Sequence, residues 1–320
     1  MPEFDLIARI RERASLRADV LLGIGDDAAL LRVPAGQLLV VSCDTLNAGV
    51  HFPLDTAPAD IGHKALAVNL SDLAAMAAQP AWCTLSLSLP EADADWLNGF
   101  LDGFLALAHA HGVALVGGDT TRGPLSIGVT VHGFVPEALA LRRAGAQAGD
   151  ELWLTGTLGD AAAALTLRAA TTPVDPLLTA RLNRPTPRVA AGLALRGLAH
   201  AGIDVSDGLL ADLGHVLAAS GVGAQIDLAR LPTSAALAAA IGESGRWPLQ
   251  LGGGDDYELC FTAAPEQHAA IVAALAAVDT PVQVIGYIAA APGVRVLAAD
   301  GSAYTPSQSG YQHFAKPHHE

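Results

Sequence analysis

The segment Gly117-Gly-Asp-Thr-Thr-Arg-Gly-Pro124 combines two adjacent glycines with a carboxylate, two hydroxyls and a guanidinium. It follows the apolar run Val113 to Val116, which has the composition of a buried strand. The glycine pair predicts a sharp turn after that strand and lets the backbone approach a ligand closely. Taken alone, the segment fits a polar β-turn as well as a strand tip that holds a phosphate and its metal ion. The rest of the chain has to decide between these two interpretations.

A helix predicted over residues 60–78 carries a carboxylate on its apolar face. Asp72 lies there between Val68 and Met76. Because burying an isolated carboxylate is costly, Asp72 must be paired, protonated or bound to a metal ion. We favour a metal role, and a buried ion pair with Lys64 is the alternative.

Other aspartates stand at predicted strand ends or beside glycines. Asp44 follows an apolar strand over residues 38–42, at a sheet edge of the kind where α/β folds bind ligands. Ser206 and Asp207 allow a second interpretation, because Ser206 suits a helix N-cap and Asp207 suits the positive end of the helix dipole. The remaining members of the set are Asp26, Asp27, Asp204, Asp255 and Asp256.

This pattern of carboxylates favours magnesium over zinc. No Cys/His cluster accompanies the aspartates, and hard oxygen ligands spread over several elements suit Mg²⁺ together with substrate phosphates. The Walker A pattern, the protein-kinase signatures and the GxSxG elbow of serine hydrolases are all absent from the sequence. The chemistry indicated is phosphate handling through metal ions.

Composition excludes several classes of protein. The net charge is −14, with 18 Lys and Arg against 32 Asp and Glu and no basic run, which argues against nucleic acid as a partner. No apolar stretch keeps one period long enough to span a membrane. The acidic start, Met1 to Asp5, does not resemble a signal peptide. Three cysteines without CxxC spacing predict reduced thiols and a cytoplasmic location.

Helical and strand patterns mix along the 320 residues, which predicts an α/β or mixed α+β fold in two halves. Turn residues and two arginines interrupt the pattern between residues 136 and 149, so the predicted domains are residues 1–136 and 137–320. In the second half we expect an irregular connection over residues 171–187, a helix over residues 189–200, and a helix that starts at Ser206.

Six motifs occur in the order found in one known family. Together they resemble the thiamine-monophosphate kinase family over nearly the whole chain, as far as Gly310-Tyr-Gln-His-Phe314. The motifs are Gly23-Ile-Gly-Asp-Asp-Ala28, Asp44-Thr-Leu46 with Gly49-Val-His-Phe52, Lys64-Ala-Leu-Ala-Val-Asn-Leu-Ser-Asp-Leu73, Gly117 to Pro124, Ile203-Asp-Val-Ser-Asp-Gly-Leu209 and Asp256-Tyr-Glu-Leu-Cys-Phe261.

The resemblance implies a fold, a reaction and a set of ligands. The fold is that of the aminoimidazole-ribonucleotide synthetases, in which an N-terminal metal- and ATP-binding domain dimerises through its sheet and a second domain follows. The reaction is transfer of the γ-phosphoryl group of ATP to thiamine phosphate, the last step in making thiamine diphosphate, with several Mg²⁺ ions. The implied magnesium ligands are Asp27, Ser42, Cys43, Asp44, Asp72, Asp119, Asp204 and Asp207. The implied ATP contacts are Gly118, Asp119, Arg143 and Ser206, and the implied thiamine phosphate contacts are His51, Asp255 and Tyr311.

The sequence departs from the family pattern at three positions. Asp255 stands where the family usually has Glu, so its carboxylate is one methylene shorter. Cys43 replaces the usual Thr or Ser, which keeps the backbone carbonyl but removes a hydroxyl. Asn47 stands where an apolar residue is common.

Two further classes of function are compatible with the same motifs. One is another ATP-using enzyme of this fold, either selenophosphate synthetase-like or hydrogenase-maturation-like. The first would need a reactive N-terminal cysteine and the second a C-terminal one, whereas this chain ends Lys316-Pro-His-His-Glu320. The other is a nucleotide-binding regulator without catalysis.

The expected reaction needs no general base. A phosphate monoester has a second pKa of about 6 and is therefore mostly a dianion at neutral pH. We accordingly predict no catalytic residue beyond the metal ligands. In-line positioning of two polyanions and neutralisation of their charge would carry the catalysis.

Overall fold

The structure is a computed structural model that describes residues 3–15, 17–306, 310, 311 and 313. The end of the last motif, at residues 312 and 314, and the tail at residues 316–320 lie outside the described residues. So do the first two residues of the chain.

The described elements mix helices and strands along the chain, which confirms the predicted mixed α/β class. In chain order they are α1 (Glu3–Arg13), β1 (Val20–Leu22), β2 (Leu30–Leu31), β3 (Leu38–Asn47), α2 (Pro58–Ala75), β4 (Gln79–Leu89), α3 (Ala94–Ala110), β5 (Ala114–Arg122), β6 (Ser126–Val135), β7 (Glu151–Thr155), α4 (Asp160–Ala169), α5 (Pro176–Asn183), α6 (Val189–Ala194), β8 (Ala201–Val205), α7 (Leu209–Ser220), β9 (Gly223–Asp227), α8 (Ala235–Ala240), α9 (Glu243–Gly252), β10 (Glu258–Ala263), α10 (His268–Ala276), β11 (Val282–Ala289), β12 (Gly293–Leu297) and β13 (Ala303–Tyr304). Short 3₁₀ turns cover Glu137–Leu139, Leu228–Arg230 and Pro265–Gln267.

The chain divides into two compact units. The first comprises residues 1–140 and 183–193, and the second comprises residues 141–182 and 194–320. The first unit thus extends four residues past the expected boundary at residue 136. It also takes in a return segment, residues 183–193, that the sequence did not indicate. This segment is bound to α2, because Pro185 O lies 3.0 Å from Nε2 of His63 and Arg184 Nε lies 2.5 Å from Asp60 Oδ1.

A four-stranded sheet forms the centre of the first unit, in the order β3-β6-β4-β5. Strand β6 runs antiparallel to both of its neighbours, β3 and β4, and β4 and β5 run parallel. Helices α2 and α3 pack on each other closely, because a Cβ on Gly103 would lie only 1.8 Å from Ala59 O. Alternate residues of β3 either face α2 or are exposed on the other side of the sheet, where Val41 is 54% exposed.

The expected sharp turn after Val116 is wrong, because β5 continues through both glycines to Arg122. The pairing with β4 shifts register between Cys83 and Thr84, opposite the glycine pair. A Cβ on Gly118 would lie 1.9 Å from Leu85 O. The glycines therefore admit a bulge and a close approach of β4 rather than a reversal of the chain.

The second unit is built on a seven-stranded sheet of described residues, in the order β13-β12-β9-β11-β7-β10-β8. All neighbours are antiparallel except β12 and β9. Three expectations need correction here. The connection over residues 171–187 contains helix α5, the helix expected over residues 189–200 ends at Ala194, and the helix expected from Ser206 begins at Leu209.

Among the described residues, no helix combines the length and the apolar character needed to cross a membrane.

Candidate active site

In the first unit, β3 and α2 bring three of the predicted magnesium ligands together. The Ser42 hydroxyl donates to Asp72 Oδ2 at 2.5 Å. Two residues further along β3, the Asp44 N–H donates to Oδ1 of Asn69 at 3.0 Å. Asn69 is fully buried and is itself fixed by donating to Ala65 O at 2.9 Å. The Ser42 hydroxyl thus meets the Asp72 carboxylate, and Asp44, two residues further along the same face of β3, is held to α2 through its backbone N–H.

Gly118 and Asp119 lie at the opposite edge of the same sheet. The register runs in one row from Asp44 through Val129 and Leu85 to Gly118, so three strand spacings, roughly 14 Å, separate Asp44 from Gly118. A Mg²⁺ ion binds oxygens at about 2.1 Å, so one ion cannot contact both Asp44 and Asp119 of one chain. The predicted ligands of this unit therefore form at least two groups.

Asp119 is associated with a cavity on the exposed face of the sheet. The cavity has a volume of about 410 Å³ and is lined mainly by hydroxyl side chains and glycines, with Cys43 and Asp119 among them. Asp119 is exposed, and its Oδ1 accepts the Thr120 N–H at 2.9 Å. Asp27 lies in the exposed loop between β1 and β2, where its N–H donates to Asp26 Oδ1.

His51, a predicted contact to the substrate, lies in a loop that is hydrogen-bonded to α2. Buried Lys64 donates from Nζ to His51 O at 3.0 Å. The Asn47 N–H donates to His51 Nδ1 at 2.9 Å, which fixes the neutral ring as the tautomer with its proton on Nε2. This tautomer presents an Nε2–H group that can donate a hydrogen bond to a phosphate oxygen.

In the second unit, the loop Ser206-Asp207-Gly208 is held by a carboxylate that the sequence analysis missed. Asp212 Oδ2 accepts the N–H groups of all three loop residues at 3.0 to 3.1 Å. Asp212 is 3% exposed, and burial raises its pKa to about 6 in spite of these bonds. The expectation that Ser206 caps the helix is therefore wrong, since the N-cap is Gly208 and the loop is anchored from the helix interior.

Asp255 and Tyr311 are bonded to this same loop through their backbones. The Asp255 N–H donates to Ser206 O at 2.8 Å, and the Tyr311 N–H donates to Asp207 O at 2.9 Å. Asp204, 6% exposed, is the penultimate residue of β8, the buried strand that leads into the loop. The structure therefore brings Asp204, Ser206, Asp207, Asp255 and Tyr311 together.

Arg143, the remaining predicted ATP contact, is anchored at the other end of α7. Its carbonyl accepts from Ser220 Oγ at 3.2 Å, and Ser220 is the last residue of that helix. Twelve helical residues span roughly 18 Å, so Arg143 and Ser206 are placed near opposite ends of one helix.

A buried charge network supports the Asp255 segment from behind. The Arg181 guanidinium donates to Glu258 Oε1 at 2.6 Å and to Asp256 O at 3.3 Å, and its Nε lies 3.9 Å from Asp160. All three carboxylates are at most 1% exposed. Burial raises the pKa of Asp256 well above its usual range, against the opposing effect of a hydrogen bond from Gly159 N–H. None of these residues except Asp256 was singled out from the sequence.

A sequence signal for Asp212 existed. It falls on the same face of α7 as Leu209, Leu213 and Val216, all buried, and it meets the criterion that identified Asp72. Arg181 offered no such signal, because its helix lies within a stretch interrupted by prolines.

Comparison with known proteins finds two family models and a curated relative that match this chain. The model of AIR synthase related protein, N-terminal domain, matches residues 25–135, and that of the C-terminal domain matches residues 147–298. A thiamine-monophosphate kinase from Salmonella typhimurium is 48% identical over 323 residues, covering 98% of this chain and 99% of the relative.

Solved structures agree with this placement. The crystal structure of thiamine-monophosphate kinase from Stenotrophomonas maltophilia K279a is 56% identical with a TM-score of 0.87, covering 95% of this chain and 98% of that chain. The structure of AaThiL complexed with AMPPCP and TMP is 32% identical with a TM-score of 0.77, covering 98% of this chain and 97% of that chain.

Proposed function

The chain belongs to the AIR synthase related family and, within it, to the thiamine-monophosphate kinases, and on this premise we propose that it transfers the γ-phosphoryl group of ATP to thiamine phosphate. The product is thiamine diphosphate. The observation that carries the assignment to this geometry is the loop Ser206-Asp207-Gly208, to which Asp255 and Tyr311 are both bonded. The relative described with AMPPCP, an ATP analogue, and TMP supports the choice of the two substrates.

The ligands that the protein offers fit a magnesium ion whose remaining ligands come from the substrates. Among the described residues, no three carboxylate, imidazole or thiol side chains converge closely enough to hold an ion by themselves. Asp44, Asp72 and the Ser42 hydroxyl instead offer two carboxylates and one neutral oxygen. Magnesium sites commonly use one or two carboxylates and take their remaining ligands from water and phosphates.

We assign the metal-binding role to Asp27, Ser42, Cys43, Asp44, Asp72, Asp119, Asp204 and Asp207, with Cys43 acting through its carbonyl. Bound magnesium would neutralise the phosphate oxygens and so allow two polyanions to meet among carboxylates. The separation of Asp44 from Asp119 accords with more than one ion. Gly118, Asp119, Arg143 and Ser206 would contact ATP, whose extended form suits the distance between the two ends of α7.

His51, Asp255 and Tyr311 would bind thiamine phosphate. The Nε2–H tautomer of His51 donates to a phosphate oxygen, while the Asp255 carboxylate complements the cationic or amino-bearing part of the substrate. No residue needs to remove a proton, since the attacking phosphate oxygen is already ionised at neutral pH. The protein's contribution is to orient the two substrates in line.

We propose a homodimer formed through the exposed face of the β3-β6-β4-β5 sheet. This face presents Val41, Leu39 and Cys43 beside hydroxyl side chains. Such a face with little charge suits association with a second copy. Light scattering on the intact protein should give twice the mass of one chain. The Val41→Glu variant should give the mass of a single chain. Val272→Glu, a change at an exposed apolar residue on α10, should leave the dimer intact.

An assay of ADP release tests the catalytic assignment. Thiamine phosphate should stimulate ADP release in the presence of Mg²⁺, with thiamine diphosphate formed in equal amount. Turnover that does not respond to thiamine phosphate would instead favour another ATP-using enzyme of this fold, and binding without turnover would favour a regulator. The three free cysteines accord with a reducing compartment, and a cytoplasmic location is part of the proposal.

A further inference from the structure

Asp255, the proposed contact to thiamine phosphate, and nearby Tyr257 both have an unusual backbone conformation. Asp255 has a φ of +68° and Tyr257 a φ of +51°, with Asp256 between them. This left-handed region is disfavoured for residues with a side chain, most of all for a bulky one such as tyrosine. Such strain persists only where the surroundings fix it, and it is concentrated at functional sites.

Three sets of hydrogen bonds hold this strained turn. The Asp255 N–H donates to Ser206 O and the Tyr257 N–H donates to Val205 O, both at 2.8 Å. Between them, the buried Asp256 carboxylate accepts the Gly159 N–H at 2.9 and 3.1 Å. The turn is therefore tied to the end of β8 on one side and to the start of α4 on the other.

The consequence of this conformation is a contact between the side chains of Tyr257 and Asp255. The Tyr257 hydroxyl donates to Asp255 Oδ1 at 3.0 Å. Both side chains are half-buried, so the bond is partly shielded from water. A donor on Oδ1 fixes the rotation of the carboxylate and hence the direction of Oδ2.

We propose that Tyr257 is a positioning residue for thiamine phosphate binding, which acts by orienting the Asp255 carboxylate. This inference rests on the proposed function, because it takes Asp255 as a substrate contact. Aspartate has a short side chain whose reach depends on its orientation, and the tyrosine hydroxyl supplies that orientation from two residues away. We expect the effect to fall on the second substrate, since the Tyr257 hydroxyl donates to Asp255, the residue assigned to thiamine phosphate.

Tyr257→Phe removes the hydroxyl and keeps the ring. The KM for thiamine phosphate should rise about tenfold, as for the loss of one hydrogen bond to a charged group, while kcat and the KM for ATP change less than about twofold. Tyr287→Phe is the matched control. It removes a hydroxyl that donates to Gln225 on the exposed side of β11, at 2.9 Å, and should leave all three constants unchanged.

A double-mutant cycle separates positioning from a general structural role. In an Asp255→Asn background, Tyr257→Phe should change kcat/KM for thiamine phosphate by less than about twofold, because the carboxylate it orients is gone. The same tenfold loss in that background would overturn the proposal. So would an unchanged KM in the single variant, or equal losses for both substrates with a lower melting temperature. If the wild-type chain itself shows no turnover with thiamine phosphate, the proposed function has failed, which is a different result.

Discussion

The Ser42 hydroxyl donates to Asp72 Oδ2 at 2.5 Å, and this bond joins β3 to α2 where the proposed magnesium ligands lie. Asp72 is half-buried between two buried residues of α2, Ser71 and Leu73, and its carboxylate reaches the strand. We assign this half-buried carboxylate to metal binding rather than to the stability of the fold.

Asp72→Asn should therefore lose Mg²⁺-dependent turnover by at least about 100-fold without unfolding the protein. In the wild-type chain, Mg²⁺ with ATP at about 100 times its Kd should stabilise the fold by about 2.7 kcal/mol and raise the melting temperature accordingly. Thermal scans should show that Asp72→Asn reduces this rise. Asp102→Asn, the same change at a 67% exposed side chain on α3, should keep it. Equal thermal shifts in the two variants would remove Asp72 from the metal site.

Gly118 should not tolerate a side chain, whereas Gly117 should. A Cβ on Gly118 would lie 1.9 Å from Leu85 O, on the backbone of β4, and its φ of +153° also disfavours other residues. Gly118→Ala is expected to destabilise the first unit by about 3 kcal/mol or more and to abolish turnover. At Gly117 the nearest atom, Thr84 Cγ2, is 3.8 Å away, so Gly117→Ala should cost less than about 1 kcal/mol. Chemical denaturation of the two variants makes the comparison, and similar midpoints would contradict the assigned close approach.

The glycine pair shows which part of the fold could be predicted from the sequence and which could not. The strands and helices with clear periodicity, such as β4 and α2, follow from the positions of their apolar residues. Two adjacent glycines instead read as a turn, because nothing local shows that a neighbouring strand needs the space. Only the pairing of β5 with β4 decides that the chain continues to Arg122.

Site residues could be predicted where a charged side chain occurs on an otherwise apolar face. They could not be predicted where their role depends on a contact with a residue elsewhere in the chain. Asp72 stood out on an apolar helix face, and its contact with Ser42 agrees with that signal. Ser206 had the pattern of a helix cap, but Asp212, six residues on, holds its N–H. Arg181 bonds to Glu258 from a helix in a proline-interrupted connection, a contact 77 residues apart that no local pattern contains.

Asp212 should matter for the loop Ser206-Asp207-Gly208 and thus for ATP. Asp212→Leu leaves three N–H groups without their acceptor and should cost on the order of 3 kcal/mol in stability and more than about tenfold in kcat/KM for ATP. Asp212→Asn keeps one acceptor oxygen and should lose clearly less of both. Steady-state kinetics with denaturation curves test the order wild type, Asn, Leu. A leucine variant as active as the asparagine variant would show that the loop does not depend on this carboxylate.

The stability of the first unit should fall as the pH drops below about 6.5, because burial lowers the pKa of His63, His111 and His132. Burial lowers the pKa of His63, and burial together with the nearby charge of His63 lowers that of His111. Since the folded pKa lies below the unfolded value near 6.5, the unfolded chain takes up protons first as the pH falls. The stabilisation is complete above the unfolded pKa and is lost towards the folded one, at up to about 1.4 kcal/mol per pH unit for each proton.

Denaturation midpoints for the wild type and for His111→Gln between pH 5 and 8 measure this loss of stability. The variant should lose part of the acid slope and keep its stability at pH 8 within about 1 kcal/mol. His109→Gln, at an exposed position two residues away, should keep the full slope, and an identical slope in the His111 variant would rule out its contribution.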